Sequence, residues 1–171
     1  VVVRDQVKVL VISENDTPVV TDAPTGRTEV LSGNTIAPFG DAGTSLSDSD
    51  LNEIITVRIQ LDDAEKGSFS DSTGLFVEAP VDSGIYLATG PAGPVQTSLQ
   101  GLQFALRPGY PVPAGEPGVE VSVLVTITDR QSAKVEFTFV LLVRIDQVAR
   151  VVLNTDDSGA GSLRQAIGEA G

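Results

Sequence analysis

The stretch Val119–Ile145, VEVSVLVTITDRQSAKVEFTFVLLVRI, decides the fold. Val119, Val121, Val123, Val125 and Ile127 occupy every second position, and so do Val135, Phe137, Phe139, Leu141, Val143 and Ile145. A period of two puts each set on one face of a β-strand. Asp129–Ala133 is a short polar break between them. The two strands are therefore expected as an antiparallel hairpin. The other face of the second strand carries Val140 and Leu142, where water favours polar side chains. Something is expected to cover that face, unless a wide sheet curls over itself.

Working outward, the same alternation marks Val1–Ile12 and Ile54–Leu61, and shorter strands are expected at Glu29–Leu31, Gly67–Ser70, Leu75–Glu78, Ile85–Ala88 and Leu102–Leu106. Pro38–Leu51 and Pro108–Gly118 read as loops, because Gly, Pro, Ser and Asp break strands. Pro94–Gln100 is the one helical turn expected in the middle, since Val95 and Leu99 share a face. Near the end, Ser162 is a candidate N-cap, and Leu163, Ala166, Ile167 and Ala170 fit the apolar stripe of a short helix. Many short strands at this spacing argue for an all-β chain, an antiparallel Greek-key β-sandwich with a short C-terminal helix.

Composition narrows the chemistry. The 171 residues include no Cys, His, Met or Trp, which removes disulfides, thiolate or imidazole metal sites, and Cys–His or Ser–His–Asp catalysis. A formal net charge of −12 disfavours nucleic acid as a partner. With 41% apolar and 20% charged residues, the composition is that of a folded chain. No apolar run nears the ~18 residues that cross a bilayer, so no membrane insertion is expected. The first residues lack a signal-peptide pattern and the sequence opens without Met, so it reads as a mature or excised piece.

Val11–Val20 and Val143–Val152 align without a gap at an offset of 132 residues, each a strand, an acidic step and a Val pair. This sets a module length. Residues 1–13 then read as a strand of a preceding module or an exchanged strand, 14–147 as the sandwich, and 148–171 as linker and start of a following domain.

Several of these stretches resemble one family. Glu14–Val20, ENDTPVV, resembles the linker of bacterial cadherin-like and immunoglobulin-like repeats in large surface adhesins. Thr126–Val143 is similar to the closing hairpin of those repeats, Ser47–Gly67 to their SDxD stretch, and Tyr86–Pro108 to their Y-x-x-x-G…F-x-P segment. The C-terminal VLNTDDSGAGSLRQAI is similar to the opening of right-handed parallel β-helix domains of bacterial surface proteins. The resemblance implies an extracellular or cell-surface protein of linked modules, with a cadherin-like/Ig-like fold here.

The candidate chemistry is acidic. Asp41–Asp82 holds ten carboxylates against Arg58 and Lys66, so most of the net charge sits there. Asp48-x-Asp50-x-Asn52 offers hard oxygen ligands of the kind calcium takes. It is not an EF-hand, because Glu53 stands at the obligatory Gly and Ile59 at the twelfth position. The resemblance implies instead a calcium site at a domain end, gathering Glu14, Asn15 and Asp16 with Asp48, Asp50 and Asp129. Gln131 departs from the family's second acid after the turn, and Gln147–Arg150 at the second junction cannot chelate. The alternative for the stretch is a solvated acidic loop. Asp62-Asp63 or Asp48-Asp50 would be the obvious carboxylate pairs for glycoside hydrolysis, and no aromatic platform for sugars accompanies them.

Three functions fit. The first is a non-enzymatic structural or adhesive module of a bacterial surface protein, rigidified by calcium. The second is a subunit of an extracellular filament or surface layer assembled by β-strand exchange, contacting neighbouring modules or copies of itself through Val1–Ile12 and the Val140/Leu142 face. The third is an accessory module of a secreted polysaccharide-active enzyme, with glycans as partners.

Overall fold

The computed structural model describes residues 14–50, 53–112 and 116–144. The strand expected at Val1–Ile12, the second junction and the C-terminal helix lie outside the described residues. The expected hairpin is present as β9 (Gly118–Thr128) and β10 (Lys134–Arg144). It is paired antiparallel along its whole length, from Gly118↔Arg144 to Thr128↔Lys134. β4 (Ile54–Leu61) pairs antiparallel with β9 and with β7 (Ile85–Pro91), and β7 with β6 (Val77–Glu78). β2 (Arg27–Leu31) completes a six-stranded sheet of order β2-β10-β9-β4-β7-β6. One pairing departs from the antiparallel expectation: β2 runs parallel to β10. A parallel neighbour needs a long crossover, and here nearly the whole module intervenes between the two strands.

Two small ladders complete the strand inventory. β1 (Val19–Thr21) pairs with β3 (Ser45–Ser47), and β5 (Gly67–Ser70) with β8 (Gln103–Leu106). Pro38–Leu51, expected as a loop, instead holds the short helix α1 (Pro38–Ala42) and β3. Proline at the first helical turn costs no hydrogen bond, so Pro38 opens α1 instead of breaking the chain. The expected helical turn is α2 (Ala92–Gly101), longer by two residues at its start and one at its end.

The alternating residues of β4 and β9 form one buried face: Ile55, Val57, Ile59 and Leu61 beside Val121, Val123, Val125 and Ile127. Phe39 of α1 meets Phe139 of β10 edge-on at 5.5 Å, and Phe69 of β5 meets Tyr86 of β7 at 5.6 Å and Phe104 of β8 at 5.3 Å. These rings join α1 and the β5/β8 ladder to the inner face of the large sheet. Each fully buried side chain of this size contributes about 1.5–3 kcal/mol. Gly67 is required where it is, because a Cβ there would stand 2.6 Å from the ring of Phe104.

On the outer face of β10, Leu142 is only 2% exposed although it lies outside the main core cluster. Arg27 of β2 pairs with Glu120 of β9 at 3.0 Å, a bridge that crosses β10 between the levels of Val140 and Leu142. Arg144 pairs with Glu29 at 3.1 Å on the other side of Leu142. The aliphatic stems of such residues shield apolar surface while their charged heads stay wet.

A candidate functional site at the turn end of the hairpin

The β9–β10 turn defines one end of the domain, and Gly118 with Arg144 the opposite end. β4 starts at the turn end, since Thr56 pairs with Thr128. Asp129 closes the turn. Its N–H donates to the Ala133 carbonyl at 3.0 Å, and its Oδ1 accepts the Ala133 N–H at 2.8 Å. Ser132 takes the left-handed conformation, φ 74°, that completes so tight a reversal. The other carboxylate oxygen, Oδ2, accepts the side-chain amide of Asn15 at 2.8 Å. Asp129 is thereby buried to 6% exposure, with both oxygens satisfied.

Asp16 and the loop after β3 meet beside it. The Asp16 N–H donates to Asp50 Oδ2 at 3.0 Å, and the Asp50 N–H to Asp48 Oδ1 at 2.9 Å. Asp48 Oδ2 is buried without a partner among the described residues. Five expected residues, Asn15, Asp16, Asp48, Asp50 and Asp129, are thus tied to this end by hydrogen bonds, and Glu14 adjoins them in sequence. Their carboxylates are separated by N–H donors. Among the described residues no three acidic side chains stand together in a group that could hold a metal ion.

Sequence reading missed Glu53, whose Oε1 accepts the Arg130 N–H at 2.9 Å and braces the same turn. It also missed Gln96 and Gln100 of α2. Gln96 Oε1 accepts the Leu46 N–H at 2.8 Å, and Gln100 donates to the Thr44 carbonyl at 2.7 Å. The two amides satisfy the open edge of β3, where a further strand would otherwise bind. Their spacing of four on a helix was the available signal.

Asp71 organises the loop after β5. Its Oδ2 accepts the N–H groups of Leu75 and Phe76, each at 2.8 Å, and the Ser98 hydroxyl at 2.6 Å. Burial opposes its ionisation, yet the hydrogen bonds from Ser98, Phe76 and Thr73 outweigh burial and bring its pKa from 3.8 to about 2. It cannot serve as an acid near neutrality. The Asp62-Asp63 pair is engaged as well: Asp62 binds Lys66 at 2.6 Å, and Asp63 accepts the Glu65 N–H at 2.8 Å and the Tyr110 hydroxyl at 3.2 Å. Among the described residues no helix is long and apolar enough to cross a membrane. No protein-family model matches the chain, and no curated protein matches it either.

Proposed function

We propose that the chain is a non-enzymatic extracellular module of a bacterial surface protein, a Greek-key β-sandwich of the cadherin-like/Ig-like kind that spaces or presents its neighbours. One observation carries this reading: the chain enters and leaves the domain at opposite ends. Asn15 is hydrogen-bonded at the turn end, while Arg144 pairs with Gly118 at the far end of an eleven-residue strand. At ~3.4 Å per residue that separates entry from exit by roughly 34 Å. A module threaded this way extends a chain of modules, whereas one with adjacent termini inserts as a side branch. The acidic turn end, where Glu14, Asn15 and Asp16 meet the Asp48–Asp50 loop and Asp129, is then the junction with whatever precedes it.

Calcium is the finer part of the proposal and rests on the resemblance of Glu14–Val20 to adhesin linkers. The ion would be held by carboxylate and amide oxygens of that set and would displace the Asn15–Asp129 contact, freeing both side chains to ligate. The test is a calcium titration read by melting temperature. Binding at a hundredfold excess over Kd stabilises by about 2.7 kcal/mol, a rise of roughly 8–12 °C for a domain of this size. The rise is expected to vanish in Asp16→Ala and Asp50→Ala. No shift at millimolar calcium rejects the cation while leaving the threaded-module reading to stand or fall on the end-to-end distance.

A further inference from the structure

Among the described residues the six-stranded sheet has a gap beside β9. β9 begins at Gly118, but β4 accompanies it only as far as Leu61↔Val123, with one further bond from the Asp62 N–H to the Ser122 carbonyl at 3.0 Å. Backbone groups alternate sides along a strand. Because Ser122 faces β4, Glu120 and Gly118 present their N–H and C=O groups to the same side. Among the described residues neither has a backbone partner there. A cleft of about 500 Å³ occupies this position, lined by Lys66, Tyr110, Val112, Glu116, Gly118 and Glu120. Tyr110 and Val112 pack partly against the core, and Glu116 and Glu120 stand exposed at the rim. An apolar wall, a rim with two glutamates, and a strand edge without a partner among the described residues together fit an extended chain that adds as a strand.

The sequence supplies such a chain. In Val1–Ile12 the odd positions hold Val1, Val3, Val7, Val9 and Val11, broken only by Asp5, and the even positions hold Arg4, Gln6 and Lys8 between Val2 and the pair Leu10 and Ile12. Its apolar face suits Tyr110 and Val112, and its cations suit Glu116 and the outer side of Glu120, whose carboxylate also holds Arg27. Direction selects between the same chain and another. The segment joins Glu14 at the turn end, so folded back along its own domain it would run parallel to β9. Coming from a second copy stacked turn end to far end, it runs antiparallel to β9 and in line with β4, which continues the pattern of the sheet. We propose that Val1–Ile12 of one copy inserts beside Gly118–Val121 of the next, so that copies assemble head to tail. A contact of this kind does not close and therefore propagates.

The experiment is sedimentation of the full chain over a range of concentrations. Two variants accompany it. Val3→Pro with Val9→Pro interrupts the donor, since proline lacks the N–H a ladder needs. Glu120→Pro removes the acceptor's N–H at the cleft. The wild type is expected to rise in mass with concentration to at least twice the monomer. Each variant alone is expected to stay monomeric, and an equimolar mixture of the two to give a dimer that grows no further, because only one donor and one acceptor remain intact. If Glu120→Pro proves unfolded by its melting curve, the donor variant, which leaves residues 14–144 unaltered, decides alone. A wild type monomeric at every concentration, as a segment folded back on its own domain would give, overturns the proposal. So does a donor variant that assembles as the wild type does.

Discussion

Replacing Asp71 with Asn is expected to cost the domain a large part of its stability, although the change is isosteric and the residue is partly exposed. The carboxylate is an acceptor only, and it is surrounded by three N–H groups and the hydroxyls of Thr73 and Ser98, all of which donate to it. Oδ2 takes the Leu75 N–H, the Phe76 N–H and the Ser98 hydroxyl, and Oδ1 takes the Thr73 N–H at 2.8 Å. An amide can keep only one of the two oxygens. If its oxygen replaces Oδ2, its NH₂ faces the Thr73 N–H, donor against donor, with only the Thr73 hydroxyl beside it able to accept; if the amide is flipped, the Leu75 and Phe76 N–H groups and the Ser98 hydroxyl lose their acceptor. Ser98 is 1% exposed, so its hydroxyl cannot turn to water. Losing a hydrogen bond to a charged group costs about 1.5–3 kcal/mol. The better amide orientation is therefore expected to cost about 2–3 kcal/mol, and Asp71→Ala more. Urea unfolding near neutral pH, followed by far-ultraviolet circular dichroism, measures it. Acid provides an independent check. The folded pKa is depressed, so the ionised carboxylate contributes its stability in full above 3.8 and loses it as pH falls toward about 2. With allowance for partial solvation that contribution is about 1 kcal/mol. Wild-type stability should therefore fall between those values by that much more than the Asn variant's. A cost below about 0.5 kcal/mol for Asn, or matching acid slopes, would refute the reasoning.

Gly118→Ala is expected to lose about 2–3 kcal/mol in urea unfolding, because the new Cβ would press into the Val143 carbonyl and lie 2.8 Å from the Arg144 Cα, backbone that cannot rotate away. Gln96→Ala should lower stability by about 1–3 kcal/mol by orphaning the N–H of Leu46, which is 5% exposed, whereas Gln96→Glu keeps an acceptor and should lose less. Equal melting temperatures for the two Gln96 variants would show that α2 does not cap β3 in this way.

What could be read from the sequence follows from the range of the interaction involved. β4 has the bounds its alternation implies, and β9 and β10 differ from theirs by one residue at each end, because a period of two is local and a half-buried strand displays it directly. The parallel pairing of β2 with β10 has no such trace. Arg27–Leu31 and Val140–Arg144 are joined by nearly the whole module, and nothing in RTEVL names its partner. α1 was misread because Pro and Gly in PFGDA were weighed as strand breakers, when Pro38 sits where a helix tolerates it. At the candidate site, Asp48 and Asp50 could be named from their alternate spacing, whereas Asn15, Asp16 and Asp129 are named only through the resemblance of their stretches to adhesin repeats. That Asn15 meets Asp129 by donating its amide to the carboxylate across 114 positions has no trace in local pattern.

The outer face of β10 shows where pattern reading stops. Alternation correctly identifies Val140 and Leu142 as pointing away from the core, and an apolar pair there suggests a docking surface for a second chain. Burial of Leu142 removes most of the surface that such a partner would cover. What stands around it is charge: Arg27 of β2 reaches over β10 to Glu120 of β9, and Arg144 at the end of β10 pairs with Glu29 of β2. Exposed ion pairs of this kind contribute little energy themselves, about 0–1 kcal/mol each. Their effect is to keep the outer face polar next to a long apolar strand, which discourages sheets of separate copies from stacking face to face. A chain assembling head to tail through the gap beside β9 needs this second property as much as the first. Two eleven-residue strands thus carry a buried apolar inner face and a charge-flanked outer one.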